Sequence, residues 1–433
     1  MHSATRALAQ RIATACLVFW IALTGGCAGT SPAGKAAGPA ARTYTFWPPF
    51  PNDPHIQFLT AYASSQDVAP TKSSGLDRLV FGKDAERPAL IDKPYGVAMR
   101  DGKIYVADMR SKALVVLDLR KKQTRLVGIT GVNRLEHPGA VAGADDGTIY
   151  GADNGRGAVF VYDAAERYSR VFGFEKFKPV SLAVHGDRLY VCDLAGQRIE
   201  IFDRRDGKRL GAIGSVGDED GQFRTPLGVC TDKAGNVYVV DMMQCRIQKF
   251  SPDGKFLSAV GRMGDYAGSF ARPKHIAVDA DGIAYVVDAA FQNVQMFDDQ
   301  NRVLMHFGAA GDFPGAMNLP AGVAVCEDSL DLYADRIHPG FAAKRLIVVT
   351  NQFGNDKVVV YAMGELRPGH TAQELASVAA TIPTGTGAPT PEQLKMQNPG
   401  GEEPPADPNA APPKSDEPPP TTPPQPPKPP EPK

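Results

Sequence analysis

The side chains of this chain that could do chemistry are few and scattered. Its eight histidines stand at positions 2, 55, 137, 185, 275, 306, 338 and 370, and no two form the HxH or HExxH spacing that places two imidazoles on one metal. Zinc hydrolysis built on such a pair is excluded. There is no GxSxG elbow, phosphate-cradling loop or dinucleotide fingerprint. Past the amino-terminal region, four cysteines remain: Cys192, Cys230, Cys245 and Cys326. None sits in a CxxC or CxxCH, so thioredoxin chemistry and covalent c-type haem find no support. In an oxidising compartment four cysteines allow two disulfides, yet three of them lie in apolar runs where a free thiol acts as a small hydrophobe.

One acid does recur. Asp108, Asp153, Asp193, Asp241 and Asp288 each close a β-branched or aromatic run: IYVAD, IYGAD, LYVCD, VYVVD and AYVVD. An active site needs a few unique residues, whereas the same aspartate in unit after unit predicts a structural task. That task is to accept backbone N–H groups in the turn that follows.

The units that carry these aspartates are copies of one another. GSVGDEDGQFRTP at 214–226 returns as GRMGDYAGSFARP at 261–273 and as GAAGDFPGAMNLP at 308–320. After each proline come four short alternating or β-branched runs separated by Gly, Asp and Asn turns, which read as a four-stranded meander. Units begin at Pro94, Pro138, Pro179, Pro226, Pro273 and Pro320, at intervals of 44, 41, 47, 47 and 47 residues. Such a period predicts the blades of a β-propeller, all-β and six-bladed. The sixth unit has only three strands, with an insertion (DLYADRIHPGFAAKR) before its second. An orphan run, IQFLTAY at 56–62, has the character of a fourth strand and is expected to pair onto the last blade, closing the ring.

The recurrent P-x-G-V-A, G-x-x-Y-V-x-D and R-I-x-x-F pattern resembles the NHL repeat family over about residues 55–363. The resemblance implies a six-bladed propeller whose interblade and second-to-third-strand loops share one face. That face would present Arg110, Arg156, Arg198 and Arg246 from one set of loops and Arg134, Lys178, Arg224 and Arg272 from the other. Met242, Met243 and Phe291 would add apolar contacts, and Arg with Met and aromatics is the composition of protein interfaces. Intracellular members bind RNA and others carry RING zinc modules, but this chain has no RING pattern and a formal charge of −1, without the basic excess of a nucleic-acid binder. A related enzyme, the peptidyl-hydroxyglycine lyase, uses histidines directly after such prolines; here those places hold Tyr95, Gly139, Val180, Leu227, Lys274 and Ala321. Similarity to six-bladed lactonases of the gluconolactonase type implies an alternative, a hydrolase or lyase with Asp232, Asp279 and His275 around a calcium ion in the channel.

The ends differ from the middle. Residues 1–26 resemble a bacterial lipoprotein signal: Arg6 and Arg11, an apolar run over 12–23 too short to span a bilayer, then Gly25, Gly26 and Cys27. Thr24 stands where that family usually has leucine. The expected outcome is lipidation at Cys27, with Ala28 pointing to the outer membrane. Residues 27–45 read as a tether, 46–367 as the propeller and 368–382 as a linker with a short helix begun by Thr371 and Glu374. Of the 37 prolines, 19 fall after residue 382, so 383–433 reads as a disordered tail of polyproline II character. The expectation is a monomeric, non-enzymatic, lipid-anchored propeller without a cofactor, binding a protein or peptide at the cell envelope. NHL-like lipoproteins of this layout resemble components found with exported multihaem cytochromes, which implies an electron-transfer partner.

Overall fold

The structure, a computed structural model, describes residues 43–69 and 91–380. The expected signal, Cys27 and the proline-rich tail lie outside the described residues. Six sheets are arranged as the blades of a β-propeller, each strand antiparallel to the next. Blade 1 comprises Pro94–Arg100, Lys103–Asp108, Ala113–Asp118 and Gln123–Val127; blade 2 runs from Pro138–Gly143 to Tyr168–Gly173, and blade 3 from Pro179–His185 to Arg209–Ile213. Blade 4 runs from Pro226–Thr231 to Phe256–Val260 and blade 5 from Pro273–Val278 to Val303–Phe307.

Blade 6 is made from both ends of the fold. Its inner strands are Pro320–Cys326, Phe341–Asn351 and Val358–Leu366. The fourth is Ile56–Tyr62, with Ile56 opposite Met363 and Tyr62 opposite Val358. Ring closure by the orphan run is thus as the sequence predicts. Two features were not legible there. Phe46–Trp47 adds a fifth, outermost strand, and the insertion partly extends the second strand of blade 6, which starts at Phe341 after a short 3-10 turn at Leu330–Tyr333.

The core consists of six apolar clusters, one at each interface between neighbouring blades. Second strands such as Val237–Asp241 are buried throughout because each blade face packs on a neighbour. Continuous β-branched runs follow from two-sided burial, while outer strands such as Val303–Phe307 alternate in exposure. The closing strand feeds two clusters: Leu59 and Tyr62 enter the one between blades 6 and 1, Ile56 the one between blades 5 and 6.

The register puts the prolines, the interblade loops and, in blades 1 to 5, the recurrent aspartates at one end of each blade, here called the upper face; in blade 6 Asn351 takes the aspartate's place opposite Pro320. The aspartates hold that face together. Asp288 accepts the N–H groups of Ala271 and Arg272 before its blade and of Ala290 and Phe291 after it; Asp108 does the same with Asp92, Lys93, Arg110 and Ser111. The task is larger than a turn, because each carboxylate also staples the preceding interblade loop. The loop repeat has its own logic. Phe223, Phe270 and Met317 are buried beneath Gly214, Gly261 and Gly308, where a Cβ would stand within 2.6 Å of them. All three glycines have positive φ.

Candidate functional site: the central channel and its two mouths

The inner strands line a central channel. Their glycines set its upper width: a Cβ on Gly96, Gly228 or Gly322 would come within 2.6, 2.8 and 2.4 Å of the neighbouring strand's backbone, so only glycine lets adjacent strands approach there. Below this collar lies a cavity of about 440 Å³ lined by Val97, Val141, Leu182, Val229, Ile276 and Val323, reaching the lower mouth at Arg100, Glu327 and Asp328.

His275 stands in the wall of this cavity. Its Nδ1 accepts the Val323 N–H at 3.5 Å, so the neutral ring carries its hydrogen on Nε2, which donates to Ser181 Oγ at 3.4 Å. Ser181 in turn accepts the Val229 N–H at 3.2 Å. The imidazole therefore ties the inner strands of blades 3 to 6 together. Burial pushes its pKa down to about 4, which keeps it neutral near pH 7.

Asp232 and Asp279, paired with His275 in the calcium alternative, lie elsewhere. Both sit in the first turns of their blades, around a lower hollow of about 810 Å³, and both are occupied by protein donors. Asp232 accepts the Ala234 and Asn236 N–H groups, the Asn236 amide and the Tyr238 hydroxyl. Asp279 accepts the Asp281 and Ile283 N–H groups and the Tyr285 hydroxyl, and pairs with Arg345 from blade 6. Arg345 also pairs with Asp281 and stands 3.6 Å from Glu327. Among the described residues no three His, Cys, Asp or Glu side chains converge as metal ligands. The four cysteines are free thiols.

The expected binding face is only partly as the sequence suggests. Arg110 is 71% exposed beside Asp92, and Arg224 pairs with Asp218 at the surface. Arg156 caps the carbonyls of Val132 and Arg134. Arg246 turns inward to the carbonyls of Asp218, Glu219 and Gln222 and organises the interblade loop instead of facing solvent. Arg198 pairs with Glu200, a buried carboxylate that also holds Arg209. Arg272 is exposed, Met242 and Phe291 are half-buried, and Met243 is 62% exposed.

Sequence reasoning passed over the exposed loop residues that complete this face: Val132 (85% exposed), Met263 (75%), Val216, Tyr266 and Ile129. Their signal was their place in the interblade loops, beside the repeated glycines and aspartates. It also passed over Lys274, the one cation at a repeat position otherwise held by uncharged residues.

Fold and site together define a six-bladed β-propeller whose central cavity is walled by Val, Leu and Ile side chains and charged at its lower end. No protein-family model matches the sequence, and comparison with curated proteins finds no match. Among solved structures the chain is similar to a streptogramin B lyase, at 12% identity and TM-score 0.44 over 63% of this chain and 84% of that one. A Bacteroides thetaiotaomicron protein of unknown function shares 17% identity at TM-score 0.48, covering 64% of this chain and 70% of that one. A calcium-binding regucalcin from Agrobacterium tumefaciens shares 13% at TM-score 0.43, covering 63% and 90%. Likeness at this level carries no residue role across.

Proposed function

We propose that this chain is a lipid-anchored, NHL-type propeller that holds a protein or peptide partner at the bacterial cell envelope, non-enzymatically, through its upper face. The observation that carries this reading is the concentration of exposed apolar side chains on the loops of that face. Met243, Met263, Val216, Val132, Ile129 and Tyr266 all lie there, beside the exposed Arg110 and Arg272. Exposed apolar and aromatic groups rimmed by arginine are the surface from which binding hot spots are drawn. The calcium-dependent alternative gains no support from Asp232 and Asp279, whose oxygens are taken up by their own turns, by tyrosine hydroxyls and, for Asp279, by Arg345.

The test uses the full chain in a bacterial envelope with a photocrosslinker on the upper face. Met243→Asp with Met263→Asp is expected to reduce recovery of a defined crosslinked partner by tenfold or more, each buried hot spot contributing about 2 kcal/mol. Lys233→Glu, on the lower face, should leave it unchanged. Equal loss from both faces, or none from the upper, sinks the proposal. Its anchoring part rests on Cys27: Cys27→Ser should move the protein from the membrane to the soluble fraction, and persistence in the membrane would refute lipidation there.

A further inference from the structure

Lys274 is a buried cation for which no described carboxylate serves as ion-pair partner. It follows Pro273 on the inner strand of blade 5, and the residue is 7% exposed. Nζ donates one hydrogen bond, to Gln352 Oε1 of blade 6 at 2.9 Å. It also lies 5.4 Å from the centre of the Tyr95 ring of blade 1. The remaining charged groups that bear on it are Arg272, Lys93 and Asp288. The first two are cations. The aspartate is spent on the four N–H groups of its staple. Burial, together with the two neighbouring cations, pushes the Lys274 amine down to about 8. Burial pushes the Tyr95 phenol up to about 12, so it supplies no counter-charge.

We propose that the upper mouth of the channel binds an oxyanion, a carboxylate or phosphate group, on Lys274 with Arg272 and Lys93 at its rim. Three blades converge to build the site: blade 5 supplies the amine, blade 6 the amide that orients it, and blade 1 the aromatic wall. A desolvated ammonium with donors to spare is strongly favoured by an anion, and lysine recognises one as a point charge. Val97, Val141, Leu182 and Val229 line the channel below the site, so the anion would be the polar end of whatever enters. The site shares Arg272 with the partner-binding face but is centred on Lys274, and small-anion binding to the isolated chain is read without the partner.

Titration calorimetry of the full chain with acetate and with inorganic phosphate tests it. Saturable one-to-one binding is expected near pH 7, weakened about tenfold or more in Lys274→Met. Acetate binding should fall about tenfold between pH 7 and pH 9, as the amine loses its proton. Acetate itself does not titrate in that range. Should Lys274→Met fail to fold, Lys93→Ala with Arg272→Ala, both on exposed residues, must weaken binding severalfold. No saturable binding of either anion, binding unchanged by these substitutions, or affinity independent of pH overturns the proposal.

Discussion

Deletion of residues 50–65 is expected to abolish the single cooperative heat-unfolding transition of the propeller. Those residues contain the strand Ile56–Tyr62, and without it the last blade presents the unpaired edge of Val358–Leu366. Ile56, Leu59 and Tyr62 are buried in the two clusters flanking blade 6, so their loss opens both interfaces at once. At about 1.5–3 kcal/mol for each buried side chain, the apolar loss alone is about 5–9 kcal/mol, comparable with the whole stability of a typical domain. Circular dichroism with calorimetry reads the outcome: an unchanged melting temperature would show that the ring does not depend on this strand. The exposed edge should also promote aggregation, which light scattering would register.

The second large effect is expected at Arg345. Its guanidinium is buried and clasps Asp279 and Asp281 of blade 5, binding the turn of one blade to the extended strand of the next. Arg345→Met leaves the fully buried Asp279 carboxylate with the Tyr285 hydroxyl and two N–H groups but no opposite charge. Removing one member of a buried pair costs about 3–5 kcal/mol, because the remaining charge stays desolvated. Urea unfolding should show that loss. The double variant Arg345→Met with Asp279→Asn should recover most of it, since the neutral amide oxygen still accepts the two N–H groups and its NH2 can donate to the Tyr285 hydroxyl. A double variant no more stable than the single one would mean that Arg345 acts through packing and not through charge.

The fold was legible because propeller blades repeat. Six prolines, five aspartates and a spare strand at 56–62 were enough to fix blade number and closure. Functional reading was harder, because it depends on which blade meets which. Asp279 looks like a channel ligand in its own unit; Arg345, which occupies it, lies in another blade behind an insertion that hides its register. Arg246 looks like a free cation in a loop, yet the carbonyls it binds belong to the preceding interblade loop. Lys274 is buried only because Tyr95 of the first blade and Gln352 of the last close around it, a meeting that exists only once the ring is shut. His275 lines the channel, but its two hydrogen bonds to neighbouring strands make it a strut.

The described fold starts and finishes at a single spot. Tyr44 donates its N–H to the Val378 carbonyl at 3.0 Å and accepts the Ala380 N–H at 2.6 Å, just past the short helix Ala372–Ala376. Whatever chain continues on either side therefore departs from adjacent points beside the last blade. A pull applied there would meet a backbone clasp first and the closing strand second.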